Sequence, residues 1–213
     1  MPYAVKEVYY TLQGEGAQAG RAAVFLRFAG CNLWTGREED RARAICKFCD
    51  TDFVGVDGPG GGKFATAEDL VAHISQYWPS GQGGRPYVVC TGGEPALQLD
   101  AELVNTLHQS GFEVAVETNG TLPLVEGIDW ICVSPKAGAQ LRILAGNELK
   151  LVYPQAEAAA QPAALEHLGF DHFFLQPLDD IAGIDHIPAT VQYCLEHPRW
   201  RLSIQVHKVV GIE

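Results

Sequence analysis

From Tyr87 onward, short apolar runs alternate with segments that can fold as helices, and this alternation most limits what the chain can become. Tyr87–Cys90, Phe112–Val116, Trp130–Val133, Glu148–Val152, His172–Leu175 and Arg201–Val206 read as strands. Asp100 caps a helix running to about Gln109, closed by Gly111. Residues 156–168 are Ala-rich and helical, with a late start or break at Pro162, and residues 188–196 form another helix. Strand-then-helix repetition implies parallel strands joined by right-handed crossovers. Six or seven such units fall short of a closed eight, so the expected fold is α/β, an open or partial barrel.

The N-terminal part adds Val5–Thr11 as a short strand and Ala22–Phe28 as a strong one, bounded by glycines. Thr66 caps a helix with Glu68 and Asp69 in its first turn and a buried stripe of Leu70, Val71, Ile74 and Tyr77–Trp78. Between them, residues 55–64 read as a flexible linker. The GVDGPGGGK run there lacks both the spacing and the preceding strand of a phosphate-binding loop.

A chain of 213 residues is most simply one domain, 1–213. No apolar run approaches the roughly 20 residues that cross a bilayer. The first residues lack the basic and apolar regions of a signal peptide, so a cytoplasmic setting is expected. Thiols stay reduced there, and grouped cysteines point to metal binding or catalysis rather than disulfides. The charge of −11 argues against a broad nucleic-acid surface, and no membrane partner is expected. Arg37, Arg41, Arg43 and Lys47, interleaved with Glu38, Glu39 and Asp40, read as a solvated mixed-charge surface.

Residues 31–52 hold three of the six cysteines: Cys31, then a Cys46-x-x-Cys49 pair after a polar insertion. Three thiolates from one loop can hold a metal centre with one coordination position open. The pair alone fits half of a zinc site, with His73 or Cys90 as further ligand, a redox dithiol, or iron–sulfur ligation. Cys90, Cys132 and Cys194 fall within apolar strands or a helix and read as buried, inert thiols.

The remaining unusual residues gather after strand C-termini: Thr91-Gly92-Gly93-Glu94, Glu117 and Asn119, Ser134 and Lys136, Gln176, and His207. That edge carries the active site in parallel α/β folds. Arg27, inside an apolar strand, needs an ion-pair partner or a charged ligand. Leu12-Gln13-Gly14-Glu15-Gly16 suits a tight turn that presents backbone to a ligand, or a plain hairpin turn.

These motifs together resemble the radical S-adenosylmethionine superfamily, and within it the 7-carboxy-7-deazaguanine synthases of the queuosine pathway. The resemblance rests on Leu12–Gly16, Arg27–Leu33, Cys46–Thr51, Thr91–Pro95, Glu117–Gly120, Ser134–Lys136 and Gln176-Pro177, which span most of the chain in the family's order. The common superfamily pattern is C-x-x-x-C-x-x-C; here fourteen residues separate Cys31 from Cys46, an enlargement known within these synthases. The resemblance implies a single radical SAM domain, an incomplete parallel β/α barrel with an enlarged cluster-binding loop. It implies a 4Fe-4S cluster on Cys31, Cys46 and Cys49, with S-adenosylmethionine chelating the open iron. The reaction implied converts 6-carboxy-5,6,7,8-tetrahydropterin to 7-carboxy-7-deazaguanine with loss of ammonia.

By the same resemblance, Gly92, Gly93 and Glu94 receive the methionyl amino group. Phe48, Cys49 and Asp50 lie on the adenine side, and Ser134, Pro135, Lys136, Phe174, Leu175, Gln176 and Pro177 complete the cofactor contacts. Leu12, Gln13, Gly14, Glu15, Arg27, Thr91, Glu117 and Asn119 form the substrate pocket, with Arg27 on the substrate carboxylate and Glu117 and Asn119 on the pterin edge. Thr51 matches a Mg²⁺ ligand. A homodimer and an electron donor such as flavodoxin are further implications. The alternatives are another radical SAM enzyme, such as an activase acting on a protein, and a zinc-stabilised binding protein.

Overall fold

The computed structural model describes residues 2–81, 83–180 and 183–212. Among them nine strands form one sheet: β1 (Tyr3–Leu12), β2 (Ala22–Phe28), β3 (Gly62–Phe64), β4 (Tyr87–Gly92), β5 (Glu113–Thr118), β6 (Trp130–Val133), β7 (Ala145–Tyr153), β8 (Gly169–Pro177) and β9 (Trp200–Leu202). Their order is β3-β1-β2-β4-β5-β6-β7-β8-β9. From β2 through β9 every neighbouring pair is parallel, whereas β1 runs antiparallel to both β2 and β3. The ends do not meet, so the sheet stays open.

Five helices accompany it: α1 (Ala67–Ser75), α2 (Ala101–Gln109), α3 (Pro162–Leu165), α4 (Ile187–Glu196) and α5 (Val206–Val210). The two expected caps form. Thr66 Oγ1 accepts from the Asp69 amide at 3.1 Å and Asp100 Oδ1 from the Leu103 amide at 2.9 Å, each satisfying an N–H that the helix leaves open.

Side-chain alternation divides the sheet into two faces. On one, Val8, Leu26, Val88, Cys90, Val114 and Val116 pack against Leu70 and Ile74 of α1 and Leu103 and Leu107 of α2. A second core continues under β6–β9, where Val133, Leu149, Leu151 and Leu175 meet Leu165 of α3 and Trp200. Each such fully buried side chain contributes about 1.5–3 kcal/mol from removal of apolar surface. β4 reads as a continuous apolar run because both its faces are covered: Val88 and Cys90 face the helices, Tyr87 and Val89 the inner side with Ala23 and Ala115.

Three stretches depart from the sequence reading. The stretch read as flexible linker, 55–64, lies along β1 and ends in β3; the Val8 amide donates to Pro59 O at 2.8 Å and the Gly58 amide to Lys6 O at 3.0 Å. Residues 156–168 hold only a 3₁₀ turn (Ala158–Ala160) and the one-turn α3, because Pro162 opens a new helix rather than continuing one. The last strand stops at Leu202 instead of Val206. The Ser203 amide still donates to Leu175 O at 2.9 Å, but Ser203 Oγ accepts from the Gly16 amide and the Val206 amide donates to Gly14 O. Those bonds pull the chain off the sheet, and it becomes α5.

Candidate active site

The inner face changes character along the strands. Ala23 and Phe25 give way to Arg27 on β2, Val89 to Thr91 on β4, and Ala115 to Glu117 on β5, with Arg27 level with Thr91 across the ladder. Glu148, Lys150 and Val152 alternate onto the same side of β7 and Gln176 onto that of β8. Above these side chains opens a cavity of about 430 Å³. The cysteine loop roofs one side with Cys46, Phe48, Cys49, Asp50 and Thr51. Leu12 at the end of β1 and Gln13, Gly14 and Glu15 of the β1–β2 loop join them; the loop lies at the opposite end of β2, and its side chains reach back over the inner face.

The cysteine loop follows β2 directly and is locked to the end of β4. The Glu94 amide donates to Gly30 O at 2.9 Å. A Cβ on Gly93 would overlap the Gly30 carbonyl and lie 2.8 Å from Cys31 Cβ, so only glycine permits this approach. Trp34, Ala44 and Phe53 form a small core under the loop, against which Cys31 and Cys49 pack. Arg41 is more than a solvated charge. Its guanidinium lies 4.1 Å above the Trp34 ring and donates to Lys47 O at 2.8 Å and Cys49 O at 3.1 Å, fixing the Cys-x-x-Cys backbone.

The thiols are tuned apart. A hydrogen bond from Cys46 lowers Cys49 to about 6, with the Lys136 charge helping; Cys46, as the donor, is pushed up. Burial raises Cys31. Among the described residues no three His, Cys, Asp or Glu side chains are spaced to hold a single metal ion. Three thiolates on one loop are the donor set that a 4Fe-4S cluster takes, each on a different iron.

Glu94 is fully buried. Its carboxylate accepts from Thr118 Oγ1 at 2.6 Å and the Asn119 amide at 2.8 Å. Burial raises its pKa against those bonds. Asn119 Nδ2 in turn donates to Asn32 Oδ1 at 2.9 Å, tying the end of β5 to the residue after Cys31. Lys136 Nζ donates to Ser134 O and Oγ and lies 5.8 Å from the Phe48 ring centre. Gln176 Oε1 is buried without a hydrogen-bond partner while its Nε2 donates to Glu15 at 3.2 Å; an orphaned acceptor beside the cavity suits a ligand N–H or O–H.

The structure therefore brings to the cavity wall Leu12, Gln13, Gly14, Glu15, Arg27, Phe48, Asp50, Thr51, Thr91, Gly92, Gly93, Glu117, Asn119, Ser134, Lys136, Gln176 and Pro177, with Cys46 and Cys49. Cys31, Glu94, Pro135, Phe174 and Leu175 stand off it. Leu175 turns to the opposite face, into the second core, and Phe174 is buried beneath the Arg201 guanidinium. Arg27 meets both expectations for a buried cation. It pairs with Glu7 at 2.7 Å and donates to Tyr9 Oη at 2.9 Å, and it also faces the cavity.

Sequence reasoning missed Lys150, Lys6, Gln205 and Lys208. Lys150, buried in β7, bridges Glu15 and Glu117. Lys6 pairs with Asp52 and Asp57, and Lys208 of α5 with Asp50 and Asp179. The period-two pattern Glu148, Lys150 inside an apolar strand was the available signal for the first. Helix α5 borders the cavity: a Cβ on Gly14 would lie 3.1 Å from the His207 amide, and His207 and Lys208 line the wall.

Comparison with known proteins agrees with this geometry. Residues 41–150 match the model of the radical SAM superfamily. The chain is 63% identical, over the full length of both, to a 7-carboxy-7-deazaguanine synthase of Bordetella pertussis, and 57% identical over both full lengths to one of Nitratidesulfovibrio vulgaris. Its fold matches the crystal structure of QueE from Escherichia coli with a TM-score of 0.68 at 28% identity, covering 97% of this chain and 95% of that one.

Proposed function

We propose that this chain, which belongs to the 7-carboxy-7-deazaguanine synthase family of radical SAM enzymes, converts 6-carboxy-5,6,7,8-tetrahydropterin to 7-carboxy-7-deazaguanine with loss of ammonia. The observation that carries this is one cavity walled on one side by the cysteine loop and on the other by Arg27, Lys150 and the carboxylates of Glu7, Glu15 and Glu117. When bound, the 4Fe-4S cluster and S-adenosylmethionine supply one-electron chemistry that removes a hydrogen atom from the substrate.

The chain's own residues hold and orient. Cys31, Cys46 and Cys49 ligate the cluster. Gly92 and Gly93 leave room for the methionyl amino group, and Glu94 acts there through the Thr118–Asn119 turn that its carboxylate pins. Phe48, Asp50, Ser134, Pro135, Lys136 and the 174–177 segment enclose the rest of the cofactor, with Gln176 Oε1 as an acceptor. Arg27 pairs with the substrate carboxylate, a charge-assisted contact that Glu7 and Tyr9 orient. Leu12, Gln13, Gly14, Glu15, Thr91, Glu117 and Asn119 contact the pterin, the carboxylates accepting from its N–H groups.

Mg²⁺ at Thr51 belongs to the same proposal. The flanking Asp50 and Asp52 are already paired with lysines, so the ion would draw most of its oxygens from substrate and water. A homodimer, a flavodoxin-type donor and a cytoplasmic setting rest on family membership. The whole chain, 1–213, acts as one domain built on the single sheet.

Metal analysis of anaerobically prepared protein tests the cofactor assignment. Iron and sulfide at one 4Fe-4S cluster per chain is the expected result; stoichiometric zinc without iron would overturn it.

A further inference from the structure

Lys150 is 3% exposed, yet it is charged and lines the cavity. Its Nζ bonds Glu15 of the β1–β2 loop and Glu117 Oε2 of β5, the latter at 2.9 Å. Among the described residues the two acids have no other Lys or Arg within ion-pair distance, and neutral amides donate to both. Gln13 Nε2 donates to Glu117 at 2.8 Å, and Gln205 Nε2 and Gln176 Nε2 donate to Glu15 at 3.0 and 3.2 Å. The other titratable groups that act on Lys150 and the two acids are Tyr87 on β4, Cys132 on β6, Glu148 on β7 and His207 on α5. Glu148 is already engaged, accepting from the Ala17 amide at 2.8 Å.

The group as a whole carries two carboxylates against one ammonium. Burying that imbalance is costly unless a donor arrives to meet it. An ammonium fixed between two acids also sets their separation, because each must stay within hydrogen-bond reach of one nitrogen.

We propose that Lys150 is a positioning residue that holds Glu15 and Glu117 at fixed spacing, so that together they select a ligand with adjacent ring N–H and amino donors. The inference deepens the pterin reading and rests on it. Lys150 acts through the two acids, and the pair reads the donor edge as two acceptors.

The charge logic gives a sign. Burial pushes Glu15 up, and the Lys150 charge and hydrogen bond override it to hold the carboxylate low. Without the cation, burial prevails, and the acid keeps its proton to higher pH. A protonated carboxyl offers an O–H where the ligand needs an acceptor.

Equilibrium binding of 6-carboxy-5,6,7,8-tetrahydropterin to cluster-loaded protein, without reductant, tests this between about pH 6 and pH 8. The unsubstituted protein should bind with an affinity nearly flat in pH. Lys150→Met should bind at least about tenfold more weakly at the acid end and recover as pH rises. Lys150→Arg should restore the flat profile. Where Lys150→Met yields too little folded protein, Lys150→Gln carries the same expectation. A Lys150→Met profile matching the unsubstituted protein, or a loss equal at every pH, would overturn the positioning role alone. Failure of the unsubstituted protein to bind the pterin would overturn the substrate reading and this inference with it.

Discussion

Cys90 and Cys49 carry the same thiol in opposite surroundings. Cys90 lies fully buried in the core under β4, where burial pushes it to about 12. Cys49 faces the cavity and is lowered to about 6. Only the second lies on the loop proposed to hold the cluster. Cys49→Ala is therefore expected to lose cluster iron and activity together, whereas Cys90→Ala keeps both. Iron content and absorbance of the cluster read the difference. Arg27 sits on the same boundary between structure and function. If Arg27 meets the substrate carboxylate as proposed, Arg27→Met removes that cation and leaves Glu7 facing the cavity without this partner, so pterin affinity should fall at least tenfold, about 1.4 kcal/mol, with cluster iron retained. Direct binding measures it, and an unchanged affinity would refute the carboxylate pairing.

At the scale of elements, legibility followed the range of the forces involved. Ala22–Phe28 and Trp130–Val133 were readable to the residue, because strands covered on both faces are bounded by the glycines and polar residues that end them. Both helix caps were local and readable as well. β3 was not: three residues, two of them glycine and lysine, pair with β1 through backbone bonds that leave no side-chain pattern. The end of β9 was set by contacts with Gly14 and Gly16, almost the whole chain away. The site divides similarly. The cysteines and strand-end motifs are clusters in sequence, but Lys150 meets partners 135 and 33 positions distant, so beyond its place in an apolar strand nothing near it shows what it pairs with.

Elements are also tied by charge, and one tie gives a pH prediction. Arg21, just before β2, makes a two-point pair with Glu113 at the start of β5, both contacts at 2.8 Å. Hydrogen bonding to Arg21 lowers Glu113 below the usual carboxylate value. A depressed folded value stabilises above the unfolded pKa of about 4.3, and that contribution is lost as pH falls through the folded value. Glu113→Gln should thus lower Tm by roughly 2–4 °C at neutral pH, with the gap closing in acid below about pH 4. A gap constant with pH would contradict the pairing.

The whole molecule is an open, mostly parallel sheet whose outer face is sealed by helices and whose inner face turns from apolar to charged towards the strand ends. The β1–β2 loop and α5 close over that face from the sheet's two ends, Gly14 packing on His207, while the cysteine loop covers it from the side. The arrangement places the cysteine loop and a charged pocket around one cavity, as the proposed radical chemistry on a pterin needs. Anaerobic turnover with reductant, S-adenosylmethionine and 6-carboxy-5,6,7,8-tetrahydropterin puts this to the most direct test, with products identified by mass spectrometry. The account predicts 7-carboxy-7-deazaguanine and ammonia. Protein with an intact cluster that cleaves S-adenosylmethionine but leaves the pterin unconverted would contradict it.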